Sequence, residues 1–206
     1  MTTNERETGG AGPEGATSDG RRLGADPARA TAGSESPRER FVARYGGIYE
    51  HSPWVAERTF DRGAAPSTDE HADTAELVQA LCEGLSATLA KATTEEQLAL
   101  IRAHPDLVGR AAIAGELTDD STAEQASAGL DRCTPEELTR FRALNEDYRG
   151  KFGFPFVMAV RGHDRHAILE AFEGRLGNTP EAERARALRE IDRIARLRIE
   201  ALEASS

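Results

Sequence analysis

Cysteine and lysine are scarce in this chain, and long apolar runs are missing from it. Cys82 and Cys133 are its only cysteines, and no C-x-x-C spacing joins them. There is thus no disulfide framework and no zinc signature, and a reducing cytosol is the default expectation. The two lysines, Lys91 and Lys151, stand in no recognisable Schiff-base setting. A glycine-rich phosphate loop is also missing. No stretch approaches the roughly 20 apolar residues of a membrane span. The opening Met1-Thr2-Thr3-Asn4-Glu5-Arg6 leads into no apolar run, and Glu203-Ala204-Ser205-Ser206 is not a peroxisomal address. The expected location is the cytoplasm. A formal net charge of −10 argues against a surface that wraps nucleic acid or coats an anionic membrane, while leaving room for a local basic pocket.

What is present suggests one helical domain. A chain of 206 residues can bury a single sizeable core and falls short of two comfortable ones. Between positions 1 and 35 the only large aliphatic after Met1 is Leu23. Such a segment cannot bury enough apolar surface to offset its ordering entropy, so it is expected to be a disordered tail before a domain at 36–206. Ser36-Pro37-Arg38-Glu39 has the form of a capping box, with proline at the first helical position. The signature recurs at Ser52-Pro53, Thr93-Thr94-Glu95-Glu96, Thr134-Pro135-Glu136-Glu137 and Thr179-Pro180. From Asp73 to Lys91, Leu77, Val78, Leu81, Leu85 and Leu89 follow helical spacing. Gly63, Gly153 and Gly177 stand where helices should end. The one strand-like run, Phe154 to Val160, has no partner. The expected fold class is all-α.

Three places depart from an ordinary helical core. In Ala103-His104-Pro105-Asp106-Leu107, Leu100 and Ile101 put His104 on the apolar side, and Pro105 disfavours helical geometry at His104. The imidazole is then either a structural residue at a helix end or a group beside a cleft. Ser121-Thr122-Ala123-Glu124-Gln125 places Glu three residues after Ser, which reads as a capping box and also as a helix N-terminus able to receive an anion. On the last helix, Arg198 stands within the apolar stripe of Leu188, Ile191, Ile194, Ala195 and Leu202, whereas Arg189, Arg193 and Arg196 fall opposite. A buried guanidinium needs a carboxylate, supplied by the protein or by a ligand. The remaining histidines say less. His163 and His166 flank Asp164, which reads as an N-cap, and lack the further ligands of a metal site. His71 lies in a polar loop, and His51 caps or packs at a turn.

Together these segments resemble the family of 2-oxo-4-hydroxy-4-carboxy-5-ureidoimidazoline (OHCU) decarboxylases. The resemblance rests on Phe41 to Glu57, Ile101 to Leu107, Ser121 to Gln125, Phe152 to Val157 and Arg196-Leu197-Arg198, in family order. It covers about Phe41 to Leu202; the tail has no counterpart and the linker from Arg62 to Ala72 looks long. The resemblance implies an all-helical, homodimeric enzyme without metal or organic cofactor. Its reaction takes OHCU to (S)-allantoin and carbon dioxide in urate degradation. By motif, His104 resembles the catalytic acid/base, with Glu124 and Arg198 as companions. Pro105, Ser121, Thr122, Ala123, Glu124, Gln125, Phe156, Val157, Met158, Ala159 and Val160 resemble the substrate-contacting positions.

The chemistry suits these residue types. OHCU carries a C=N bond beside the carbon that bears its carboxylate and hydroxyl, so it supplies its own electron sink. The protein need only position the ring and move a proton, a task for which an imidazole with an unperturbed pKa of about 6.5 is suited. In this scheme Glu124 orients the imidazole or holds ring N–H groups, Gln125 reads the ureido arm and Arg198 holds the carboxylate. Two alternatives stand beside it: a non-catalytic helical interaction domain with structural His104 and Arg198, and a metal-dependent hydrolase using His104, His163 and His166.

Overall fold

The computed structural model describes residues 35–66, 73–108 and 118–205. The expected disorder of residues 1–35 thus lies, except for Glu35, outside the described residues, as does His71. Among the described residues there are eight α-helices, one short 3-10 turn and no strand, in agreement with the all-α expectation.

Local sequence explains most boundaries. Helix α1 (Pro37–Tyr45) opens on the Ser36–Glu39 capping box, α4 (Thr94–Arg102) on Thr93–Glu96 and α6 (Pro135–Phe152) on Thr134–Glu137. In each the side-chain oxygen satisfies an amide that the helix cannot, and the glutamate returns the favour at the cap. Asp73 caps α3 (Thr74–Ala90), Asp164 caps α7 (Arg165–Arg175) and Thr179 caps α8 (Pro180–Ala204). Helix α2 (Trp54–Asp61) departs from the expected pattern: Pro53 is its N-cap, and no side chain caps it. Ser52 contributes its carbonyl to Val55 N–H at 3.2 Å, which starts the helix through the backbone. Helix α6 ends on Gly153 at φ 74°, a left-handed conformation that glycine adopts without a Cβ clash.

The long helix α8 packs against α3, α4 and α6, while α1, α2 and α3 pack in sequence order. Between α2 and α3 the backbones come close at Gly84, where a Cβ would collide with the Ala64 carbonyl. A buried hydroxyl pair, Thr59 to Thr88 at 2.8 Å, fills the same contact. The run from Phe154 to Val160 is buried, lies outside any helix and pairs with no strand among the described residues, as its sequence suggested. Side chains serve as its partners: the Val157 carbonyl accepts from Arg175 Nη1 at 2.8 Å, and Ala159 N–H donates to Glu190 Oε2 at 3.0 Å.

Candidate active site

His104 follows α4 directly, after the C-cap Ala103. Leu100 and Ile101 turn that face of the helix into the core, and His104 is itself only 6% exposed. Its Nδ1 lies 3.0 Å from the Leu100 carbonyl. A carbonyl can only accept, so Nδ1 carries the proton and Nε2 is left with a lone pair. Burial pulls the imidazole pKa below its ordinary value, outweighing the Leu100 carbonyl and the charge of Glu50, which act the other way. At neutral pH the ring is a neutral base.

The loop after His104 is held by two buried amides. Asn145 on α6 donates from Nδ2 to the Leu107 carbonyl at 2.9 Å, and Val108 N–H donates to Gln125 Oε1 at 3.0 Å. Val108 has φ 51°, a left-handed conformation costly for a β-branched residue. The Gln125 bond therefore helps to hold backbone strain beside the imidazole. Gln125 Nε2 is buried with no hydrogen-bond partner among the described residues, on a side chain that lines the same cavity as His104.

Arg198 is the centre of the cluster. Its Nε and Nη2 donate to the two carboxylate oxygens of Glu124 at 2.8 and 3.0 Å, a bidentate fork. Nη2 also reaches Ser121 Oγ at 3.4 Å. Nη1 lies 3.0 Å from Glu50 Oε2 and 3.4 Å from the Ile48 carbonyl. The sequence left the carboxylate to protein or ligand; the protein supplies two in hydrogen-bond contact, and a third, Asp120 Oδ2, lies 4.0 Å from Nε. Glu50 is buried in the turn between α1 and α2 and also accepts from the hydroxyls of Thr118 at 2.8 Å and Ser121 at 3.1 Å. Burial pushes the Glu50 carboxyl up, but Arg198, Thr118 and His104 together hold it below its ordinary value.

The Ser121–Glu124 capping box does not form. Helix α5 (Asp119–Ser127) begins earlier, capped by Thr118, whose Oγ1 accepts from Ser121 N–H at 3.3 Å. Ser121 then lies inside the first turn with its hydroxyl on Glu50, and Glu124 is free to pair with Arg198. Glu124 was expected to orient the imidazole or to hold ring N–H groups; it lines the same cavity as His104, and its carboxylate hydrogen bonds among the described residues go to Arg198.

Of the expected positions, His104, Pro105, Ser121, Glu124, Gln125, Phe156, Val157, Met158, Val160 and Arg198 line one small cavity of about 30 Å³. Thr122 is exposed and lines no described cavity, and Ala123 faces a larger neighbouring one. Ala159 is occupied through its N–H with Glu190. His163 and His166 do not line the inner cavity, and no group of three or more His, Cys, Asp or Glu among the described residues is placed to hold a metal ion. Sequence reasoning missed Glu50 and Asn145. Asn145 left a trace, a polar residue within the buried stripe Phe141, Leu144, Tyr148 and Phe152. Glu50 left none, because a turn has no period to violate.

Residues 34–200 match the profile of the family described as OHCU decarboxylase. A 2-oxo-4-hydroxy-4-carboxy-5-ureidoimidazoline decarboxylase of Halalkalicoccus jeotgali is 42% identical over 169 residues, covering 82% of this chain and 88% of that protein. The protein of the same name from Haloferax volcanii is 44% identical over 161 residues, covering 78% and 88%. Among solved structures, an (S)-allantoin synthase superposes with a TM-score of 0.62 at 31% identity, covering 81% of this chain and 51% of that one. An OHCU decarboxylase crystallised in the presence of (S)-allantoin shares the fold, with a TM-score of 0.55 at 20% identity over 73% of this chain and 91% of that one. With a profile match over most of its length and relatives above 40% identity, this chain belongs to the OHCU decarboxylase family, a family of carboxy-lyases.

Proposed function

We propose that this chain decarboxylates OHCU to (S)-allantoin, with His104 as the proton carrier and with no metal or organic cofactor. One observation carries the reading: a buried imidazole has its Nδ1 tied to the Leu100 carbonyl and its lone pair on Nε2, in a cavity lined also by Arg198, Glu124 and Gln125, whose Nε2 has no partner among the described residues.

The reaction divides into three proton movements around one bond cleavage. The C–C bond to the carboxylate breaks, carbon dioxide leaves, and the electron pair passes through the adjacent C=N to the ring nitrogen, which takes a proton from solvent. The hydroxyl proton is then lost as the carbonyl forms, and a proton is delivered to the neighbouring carbon, which sets the (S) centre. Nε2 of neutral His104 takes the hydroxyl proton and supplies the one that goes to carbon. A positioned general base of this kind typically contributes about 10²–10⁴-fold. Gln125 Nε2 donates to the ureido carbonyl, which satisfies its own buried N–H. Arg198 receives the substrate carboxylate on its Nε/Nη2 edge, which requires Glu124 to yield that edge. The catalytic unit on this reading is the helical domain that begins at Ser36, working as a cytoplasmic homodimer.

The test is turnover of OHCU freshly generated by uricase and the hydrolase that follows it, read by circular dichroism of the allantoin formed. Dextrorotatory (S)-allantoin appearing faster than the spontaneous racemate is the expected outcome. A rate equal to the uncatalysed one would leave a non-catalytic helical domain as the reading. Light scattering of the same sample tests the dimer.

A further inference from the structure

The inner cavity, at about 30 Å³, has room for little more than a water molecule, whereas small-molecule sites typically run to about 300–1,000 Å³. Beside it lies a second cavity of about 410 Å³. Glu124 and Arg198 line both, so the partition between the two is a single bidentate ion pair. The partition is unequal in character. Arg198 is 6% exposed at its side chain and is anchored from behind by Glu50 at 3.0 Å, whereas Glu124 is 18% exposed and holds only to Arg198.

The larger cavity also carries Arg44 and Arg161. Arg44 is paired with Glu203 at 2.9 Å. Arg161 is exposed and, among the described residues, has no hydrogen bond or ion pair. It directly follows the buried run that ends at Val160, so its backbone is fixed by the wall of the inner cavity. On a chain with a formal net charge of −10, this cavity is lined by three arginines, Arg44, Arg161 and Arg198, against two carboxylates, Asp120 and Glu124, a local excess of positive charge among its lining residues. Such a charge attracts anions over roughly a Debye length, about 8–10 Å at moderate salt.

We propose that the larger cavity is an antechamber that collects the anionic substrate through Arg161, and that the Glu124–Arg198 pair is a partition opened by exchange of carboxylates. The incoming carboxylate displaces Glu124 from Nε and Nη2 of Arg198, Glu124 turns toward the solvent side, and the two cavities merge into a site of ligand size. Glu50 keeps Arg198 in place during the exchange, because Nη1 is engaged on the far side. No bond is made or broken, and the charge around Arg198 is the same before and after. The proposal rests on the decarboxylase reading for the identity of the substrate; the anion-collecting cavity itself does not.

Two measurements on the full chain test it. Calorimetric titration with hydantoin-5-acetate, a ring ureide bearing a carboxylate, is compared with neutral hydantoin in the parent protein, Arg161→Gln and Arg161→Glu. Arg161→Gln should weaken the anionic probe about three- to five-fold at low salt and Arg161→Glu about tenfold, with both losses shrinking as ionic strength rises. Neutral hydantoin should bind all three alike. In the coupled assay the same variants should lose kcat/KM in that order and keep kcat, since Arg161 does not line the inner cavity. Equal affinity of the anionic probe for all three proteins would overturn the proposal, as would a loss that salt does not diminish. Ser127→Phe, which occupies the larger cavity alone, should also lower kcat/KM, and full retention would remove the antechamber from the path. If the parent protein fails to turn over OHCU while the probe titration behaves as expected, the decarboxylase reading falls and the anion-collecting cavity stands.

Discussion

Arg175 and Arg198 are both buried and both bound to glutamate, yet their surroundings are built to opposite ends. Arg175 belongs to a closed set. Its Nε lies 2.8 Å from Glu183 Oε1, its Nη1 reaches the Val157 carbonyl, and its guanidinium lies 4.3 Å from the centre of the Phe156 ring. Glu183 is fully buried and also accepts from Tyr148 and from Asn178 at 2.6 Å. One cation meets one anion, no cavity adjoins them among those described, and burial raises the Tyr148 phenol well beyond its ordinary range. Arg198 instead faces three carboxylates, Glu50, Glu124 and, at 4.0 Å, the exposed Asp120, so its set carries an excess negative charge, and it forms a wall shared by two cavities. A balanced, enclosed pair stabilises a geometry. An unbalanced pair on a cavity wall can exchange partners. Burial of an arginine alone does not separate these roles; charge balance and adjoining space do.

The sharpest way to break this contrast starts with the imidazole beside Arg198. His104→Asn should keep the fold and lower turnover by about 10²–10⁴-fold. In the parent protein kcat/KM should be level above pH 7 and fall on the acid side, with an apparent pKa below about 6.5 because burial disfavours the cation. Near-normal turnover by the folded variant would make His104 a structural residue. The same depressed pKa means that the unfolded chain binds the proton more readily, so this group's share of stability is present above pH 6.5 and is lost as pH falls through the folded value.

Next in size is Arg175→Met. It abandons a glutamate with no exposure, and urea denaturation at pH 7 should show a loss of about 3–5 kcal/mol. The folded fraction should keep most of its turnover. A variant as stable as the parent would show that Tyr148 and Asn178 satisfy Glu183 without the guanidinium.

Arg198→Met should be milder in stability, about 1–3 kcal/mol at pH 7, because Glu124 can turn to solvent and Glu50 retains two hydroxyl donors. In the parent, Arg198 holds the Glu50 pKa below its ordinary value, so the contribution of Glu50 is present above about pH 4.3 and is lost as pH falls through the folded value. Without Arg198, burial prevails and the Glu50 pKa rises above its unfolded value. The native state then binds more protons than the unfolded one, and the deficit should shrink from pH 7 toward pH 5. A deficit larger than that of Arg175→Met, with full activity in the folded fraction, would reverse the two roles. The smallest effect is expected from removing residues 1–34. Their composition offers no core to join, so melting temperature and turnover should both be retained. A melting temperature lower by several degrees would show that the segment packs on the domain.

The sequence made part of this legible, for reasons that differ from residue to residue. Helix starts were readable because a Ser or Thr three residues before Glu satisfies the same amide wherever it occurs, as at Ser36, Thr93 and Thr134. The same rule misled at Ser121, where Thr118 takes the cap and long-range partners, Glu50 and Arg198, claim the side chains. Arg198 was readable from its stripe. Arg175 follows Ile168 and Phe172 at spacings of seven and three and could have been found in the same way. His104 was marked by its apolar neighbours and by Pro105. Glu50 and the left-handed Val108 were not legible, since turn conformation and pairing across 148 positions leave no local pattern.

The run Phe154-Pro155-Phe156-Val157-Met158-Ala159-Val160 has a consequence for life outside the native state. After Pro155, the one residue that opposes it, the run is apolar, uncharged and carries an aromatic and two β-branched residues, a composition that promotes cross-β association between molecules. In the folded chain two side chains, Arg175 and Glu190, occupy backbone positions where another strand would otherwise bind. Loss of either side chain would leave a backbone group of the run without its partner, so retention of the run under thermal stress is expected to depend on helices α7 and α8. Heating Arg175→Met should produce turbidity at a lower protein concentration than the parent requires.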